Sequence, residues 1–531
     1  MQIMEFNTQN NKTDVKDLLE WLRDYSKTRI NSRLIDERRC IPPYIVLDLG
    51  NHGLLGMQVS PQYGGINLNN RDMLRVLQQL GAIDPTLASF VGVHNVLGTR
   101  PIANYASEAV KEELLPSIAT GRKLAAFALT EPGAGSNPQA ISARAMPDRE
   151  TQWQLSGTKI WIGSAAWASV INTFVKTFDD KGQYLGISGF AIHQDGTGLR
   201  QGPESLTMGL RGMVQNTVYL DNVRVGSEYL LGKVGTGMKA AQDAMMHGRL
   251  CISAVSLGGM KRCAQLMLRY AKRRNISTGR LVDNPVTLVK LTDLTESIVA
   301  LESLIDRIAT LLDSGQSIPI EAYAVCKISA PEFFWKAADN LIQILGGRGY
   351  IETNIAPQFL RDSRVLRIYE GPTETLNMFL GSKINHRAEE FYEFICEELN
   401  APKVADALKF AVNEIRDFYN TESYFLNKNS SNRWLNICIG EIVTLGTLWA
   451  AVEGLYKQSG SQRLYRTAIW SKLHFEQKLK VVLSGFPANI AINKADILDE
   501  IISSYSDEVG EIEQTLSGEL HDLDEMLYPS C

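Results

Sequence analysis

Between Leu124 and about Val234 the hydrophobic rhythm of the chain changes, and this interruption limits the possible folds more than any other feature. Short β-rich runs occur there: Trp153 to Ile162, Asn172 to Thr177, Gly189 to His193 and Thr217 to Leu220. Gly, Asp and Asn turn residues separate them, as in a small β domain. The preceding part has helical periodicity, punctuated by Pro42-Pro43 and Tyr63-Gly64-Gly65. After the β stretch, Leu294, Ile298, Leu301, Ile305, Ile308 and Leu312 form one apolar stripe at three- and four-residue steps. The order predicts a mainly α protein with an inserted β domain: residues 1–125 helical, 126–235 β, 236–388 a helical bundle, and 389–531 a helical extension turning acidic near its end.

Composition narrows the function classes. With 531 residues, 44% hydrophobic and 21% charged, the chain can bury a large core in several domains. A formal net charge of -5 argues against a nucleic-acid binder, which concentrates basic charge on one face. Seven cysteines, among them Cys40, Cys251, Cys326 and Cys438, include no CxxC pair, and no His cluster has metal-ligand spacing, so a reducing, metal-free context is expected. Met1 to Asp17 has neither a signal core nor transit-peptide character, which predicts a cytoplasmic protein. Trp434 to Tyr456 is the most apolar stretch, but Glu441 and Glu453 interrupt it, so it reads as a buried helix and not a transmembrane span.

The chemistry lies in four motifs. Phe127-Ala-Leu129-Thr130-Glu-Pro-Gly133-Ala-Gly135-Ser136 leaves an apolar run through a proline into a Gly-rich turn, whose backbone N–H groups can approach a ligand closely. Alone, such a loop is more often a plain β-turn. It is followed by Gly157-Thr-Lys-Ile-Trp161-Ile162, then Gln343-Ile344-Leu-Gly346-Gly347-Arg-Gly349-Tyr350, then Arg361-Asp362 and Ile368-Tyr369-Glu370-Gly371-Pro372-Thr373.

As an ordered set these motifs resemble the acyl-CoA dehydrogenase family, from roughly Leu18 to Ile384. The resemblance implies an N-terminal helical domain, a middle β-barrel and a C-terminal four-helix bundle. It also implies FAD as cofactor, an acyl thioester on CoA or an acyl carrier protein as substrate, and electron-transfer flavoprotein as acceptor. Phe127, Leu129, Thr130 and Ser136 then lie along the isoalloxazine and the thioester, with Trp161, Ile162 and Gly163 beside the flavin, although a strand tryptophan is as readily core. Gln343, Ile344, Gly346 and Gly347 resemble the segment that meets a neighbouring subunit's FAD, and Arg274 the arginine that reaches its pyrophosphate, which implies a homodimer. The bland reading of Arg274 is a solvated charge in Lys272-Arg273-Arg274. Pro372 and Thr373 fall on the cofactor side, while Ser136, Met246, Arg249 and Gly371 fall on the substrate side.

Glu370 resembles the family's base. A carboxylate desolvated between flavin and acyl chain gains basicity towards the weakly acidic α C–H. The resemblance implies proton loss to Glu370, hydride transfer from the β carbon to flavin N5, and a trans-2-enoyl product. Two other readings carry the same motifs: an oxygen-reactive enzyme of this fold (an acyl-CoA oxidase or a monooxygenase) and a non-catalytic flavin-binding relative.

The chain also departs from the pattern. Gly163-Ser164 replaces a hydroxyl residue followed by Asn, removing a flavin hydrogen bond unless Ser164 supplies it. Asn275-Ile-Ser-Thr-Gly279 and Pro285 stand in the segment around Arg274. Met213, Gln215 and Met246 replace small hydroxyl or acidic residues near the polar half of the thioester, a one-sided loss that points either to a carrier protein or to neighbouring residues that hold CoA differently. Gly248 occupies the alternative base position of isovaleryl-type relatives, leaving Glu370 as the candidate base. Gly98 falls where a small residue would open an acyl tunnel, and the extension beyond Asn385 resembles that of very-long-chain members.

Overall fold

The computed structural model describes residues 14–149, 151–421, 428–486 and 495–510; the acidic end noted in the sequence lies outside them from residue 511 onward. The N-terminal helices are α1 (Val15–Arg29), α2 (Ser32–Arg38), α3 (Pro43–Asn51), α4 (Asn70–Ile83), α5 (Pro85–Val93), α6 (Arg100–Tyr105) and α7 (Glu108–Ala119). Several starts have local causes. Asn69 Oδ1 accepts from Asp72 N at 2.8 Å to open α4, and Asp84 Oδ1 accepts from Leu87 N at 2.8 Å to open α5, with Pro85 at its first position.

The β domain contains β1 (Leu124–Ala128), β2 (Arg144–Arg149), β3 (Gln152–Gly163), β4 (Ala168–Phe178), β5 (Tyr184–His193), β6 (Leu199–Glu204) and β7 (Gln215–Gly226). The strand runs predicted from Trp153, Asn172, Gly189 and Thr217 fall in β3, β4, β5 and β7. The strands pair in the order β1-β4-β2-β3-β7-β6, with β5 joined to β4. The expected barrel is therefore corrected to a branched seven-stranded sheet whose described ladder does not close.

Helix α8 (Gly237–Arg273) runs 37 residues, roughly 55 Å at 1.5 Å per residue. After the β8–β9 ribbon (Asn275–Ile276 and Gly279–Arg280) come α9 (Pro285–Asp313), α10 (Ile320–Leu345), α11 (Gly347–Tyr350), α12 (Ala356–Leu366) and α13 (Thr373–His386). The predicted stripe on α9 is buried at Leu294, Ile298, Leu301, Ile305 and Ile308. Helix α4 crosses α8 through paired glycines: a Cβ on Gly81 would overlap Val255 O, and one on Gly258 would overlap Gln78 O.

The extension carries α14 (Glu389–Glu393), α15 (Pro402–Thr421), α16 (Lys428–Ser459), α17 (Gln462–Leu483), α18 (Ala495–Ser503) and α19 (Ser506–Val509). Helix α16 is long and apolar enough to cross a membrane by length and composition, yet its apolar window is mostly buried inside the molecule. It lies against α13 through a second glycine pair, because a Cβ on Gly381 would overlap Asn436 O and one on Gly440 would overlap Asn377 O. Asp293 on α9 fastens α17, accepting from Trp470 Nε1 at 3.1 Å and lying 3.4 Å from His474 Nε2. Burial opposes its charge, but His474, Lys336 and Trp470 together hold the Asp293 carboxyl well below the usual range.

Candidate active site

Between α12 and α13 the chain turns through two consecutive left-handed residues, Glu370 at φ 57° and Gly371 at φ 98°. Glycine adopts this backbone freely, whereas a glutamate there costs on the order of 1–3 kcal/mol and persists only where the surroundings impose it. Two cations hold the turn, a partly buried arginine and a fully buried lysine. Arg249 Nε on α8 donates to Glu370 O at 3.3 Å, and Lys327 Nζ on α10 donates to Gly371 O at 2.8 Å. Arg249, which the resemblance places on the substrate side, lines the cavity, and its hydrogen bond is to the Glu370 main-chain oxygen. Lys327 was not singled out, and a lysine inside an apolar helical stretch was the available signal.

The Glu370 side chain faces a cavity of about 810 Å³. Its Oε2 is buried without a hydrogen-bond partner. Desolvation raises the carboxyl to about 7, against the opposing pull of Arg249 and Lys327. A Cβ placed on Gly248 would sit 3.7 Å from Glu370 Cδ, so the absent side chain at 248 leaves room directly beside the carboxyl.

The opposite wall comes from the β domain. Phe127, Leu129, Thr130 and Ser136 line the cavity, as do Trp161, Ile162 and Gly163. The β3–β7 register slips between Lys159 and Ile162, where three residues on β3 span two on β7. At this bulge Trp161 takes φ 56° and is 61% exposed, so it is not a core tryptophan. Beneath it Lys159 Nζ, fully buried, donates to Glu131 Oε1 at 2.7 Å, Phe174 O at 2.6 Å and Leu129 O at 3.1 Å. Glu131 also accepts from Ser142 Oγ at 2.7 Å and Ala143 N at 3.0 Å. This clamp fixes the Gly-rich loop. Both residues lie inside motifs visible in the sequence, but nothing local paired them. The Arg361-Asp362 motif has a similar role: Asp362 Oδ1 accepts from the cavity-lining Leu210 N at 2.6 Å.

Three departures from the family pattern form one packed unit. A Cβ on Gly163 would meet Met213 Cε at 2.6 Å and Gln215 Nε2 at 3.5 Å. Met213 and Gln215 thus fill the space a larger residue at 163 would take. Ser164 is buried at 3% exposure and is absent from the cavity lining, so it does not stand in for the missing hydroxyl. Gly98 also needs correction: a Cβ there would lie 2.5 Å from Ala125 O, so its smallness serves helix–strand packing, while the neighbouring Val93 and Leu97 line the cavity. A π-helical turn spans His94–Thr99, and Asn172 Nδ2 satisfies its Leu97 and Gly98 carbonyls at 3.0 and 2.6 Å.

Met246, Gly371 and Pro372 line the cavity, but Thr373 does not; its hydroxyl donates to Glu332 Oε1 at 2.7 Å. Arg274, Gln343, Ile344, Gly346 and Gly347 lie outside the cavity lining. Apart from the partly covered Ile344, they are exposed.

The site thus sets a desolvated carboxyl on a left-handed turn against a wall that carries an outward tryptophan, on a β sheet placed between helical domains. Comparison with known proteins gives the family. The chain matches the acyl-CoA dehydrogenase N-terminal domain over residues 12–122, the middle domain over 126–223 and the C-terminal domain over 235–384. It is 30% identical over 362 residues to an acyl-CoA dehydrogenase of Bacillus subtilis (strain 168), covering 68% of this chain and 94% of that protein. The chain belongs to the acyl-CoA dehydrogenase family. It is also 32% identical over 335 residues to the mitochondrial very long-chain specific acyl-CoA dehydrogenase of Mus musculus, covering 62% of this chain and 51% of that protein. The chain thus spans about half the length of that relative. A solved acyl-CoA dehydrogenase from Bacillus anthracis, complexed with FAD, shares the fold at a TM-score of 0.75 and 22% identity, covering 96% of this chain and 93% of that one.

Proposed function

We propose that this chain is an FAD-dependent dehydrogenase that converts an acyl thioester to its trans-2-enoyl form, with Glu370 taking the α proton. The observation that carries this reading is the Glu370 carboxyl, facing the cavity with Oε2 unpartnered and pushed up to about 7. A base poised near neutrality matches what removal of a weakly acidic C–H demands. The Glu370 N–H has no protein acceptor among the described residues, which leaves it available to the thioester oxygen. Val93, Leu97, Met245 and Leu376 give the cavity an apolar lining that would keep water from the reacting carbons of a bound acyl chain.

The residues present fit FAD. Trp161 offers an exposed face on the cavity wall, and Cβ atoms on Gly133 and Gly135 would meet nothing within 4 Å, leaving room for a close backbone approach. Phe127, Leu129, Thr130 and Trp161 would flank the ring system. Bound there, the flavin would supply the two-electron acceptor, and electron-transfer flavoprotein is the proposed onward partner. The Met213–Gln215–Gly163 unit gives two of the substitutions that pointed to a carrier protein a packing account, so free acyl-CoA is the first substrate to test.

The decisive experiment is Glu370→Gln in the flavin-loaded protein. The amide keeps shape and main chain, so FAD stays bound while anaerobic bleaching by acyl-CoA falls by several decades. Bleaching at near the native rate would assign the base elsewhere. Peroxide formation in air would favour the oxidase reading.

A further inference from the structure

We propose that Lys327 is a positioning residue for the Glu370 base: from α10 its ammonium holds the Gly371 carbonyl and sets a second positive charge, beside that of Arg249, on the Glu370–Gly371 turn. The inference rests on Glu370 being the base.

Lys327 is fully buried in the middle of a helix otherwise lined there by Ala322, Ala324, Val325, Cys326 and Ile328. A lysine is almost never fully buried unless it is paired. Lys159, another fully buried lysine, has the Glu131 carboxylate at 2.7 Å. Lys327 has no carboxylate within ion-pair distance among the described residues, and the bond it makes is to Gly371 O at 2.8 Å. A methionine of similar length would fill the space without the desolvation penalty. The ammonium is thus placed for what it does to the turn.

Its charged neighbours show where that charge acts. Burial pushes the Lys327 ammonium down to about 7; Glu370 most strongly favours its charged form, Arg249 opposes it, and Glu332 and Glu374 favour it less. Glu332 is already engaged by Arg367 Nε and the Thr373 hydroxyl, each at 2.7 Å. Among these neighbours Glu370 sits on the very turn whose carbonyl the ammonium holds, so the charge lies one residue from the carboxyl it favours. Two cations on two packed helices, each bonded to one carbonyl of two successive left-handed residues, fix the direction of the carboxylate and favour its ionised form. Removing Lys327 frees a carbonyl and withdraws a positive charge.

The test reads the carboxyl itself in the FAD-loaded protein. The infrared carboxyl band lost in Glu370→Gln identifies Glu370, and its titration is followed in the native protein and in Lys327→Met and Lys327→Arg. Lys327→Met should raise the Glu370 midpoint by about one pH unit or more, because an opposite charge nearby is removed. Lys327→Arg should return it most of the way. An unchanged midpoint in Lys327→Met overturns the proposal; so does an upward shift that Lys327→Arg leaves in place, which assigns the effect to packing. If Lys327→Met does not fold, Lys327→Gln, with a donor but no charge, carries the same midpoint test. Failure of Glu370→Gln to block flavin reduction would sink the assigned base, while the titration would still report whether Lys327 acts on Glu370.

Discussion

At the scale of single residues, the cavity holds a carboxyl the fold keeps away from water, and linkage makes that a statement about stability. The Glu370 carboxyl rises from 4.5 when unfolded to about 7 when folded, with desolvation the main cause. The folded state then holds its proton more tightly. The associated stability is fully present below about pH 4.5 and is lost as pH rises through 7. Glu370→Gln should therefore be more stable than the native protein at pH 8, by on the order of 3 kcal/mol, with the advantage vanishing near pH 4.5. Thermal unfolding at the two pH values checks this; an equal difference at both would show that the carboxyl is not desolvated. The same variant thus loses reactivity and gains stability, the trade expected where a site stores strain.

At the scale of elements, close helix crossings position the site. The α4–α8 and α13–α16 pairs each interlock through two glycines, and α8 and α13 each carry or adjoin residues of the Glu370 cavity. Gly440→Ala puts a methyl group into the Asn377 carbonyl, which belongs to main chain and cannot rotate away. The expected cost is about 1–3 kcal/mol of overpacking. Urea unfolding measures it, and an unchanged midpoint would mean that α16 does not lie this close to α13. The sheet shows the same logic: one extra residue in β3 turns Trp161 outward while Ile162 stays buried, so a bulge sets the cavity wall.

At the scale of the whole molecule, the segments that resemble a partner's cofactor contacts stand outside the cavity. Arg274, Gln343, Gly346 and Gly347 are exposed, and Tyr350 and Ile351, just beyond them, are 85% and 56% exposed. We predict a homodimer whose association and FAD binding are linked, so that sedimentation at falling protein concentration shows FAD release together with dissociation. A monomer retaining full FAD would contradict this.

How much of this was legible beforehand depends on the range over which each feature is encoded. Periodicity and turn residues are local, and they placed the β insertion, the α9 stripe and four of the strands. The motif set, also local, put Glu370, Trp161 and the Gly-rich loop in the site. The sequence by itself therefore determined which modules occur in what order and which of its motifs come together at the cavity. Tertiary structure decided what holds them: Lys327 meets Gly371 across 44 residues, Arg249 meets Glu370 across 121, and Leu210 meets Asp362 across 152. It also decided that Gly98 serves packing, that Gly163 is matched to Met213, and that the described sheet stays open. Local pattern records which face of an element is buried; which partner covers that face depends on helix crossings and strand register, set only when distant segments compete for the same space.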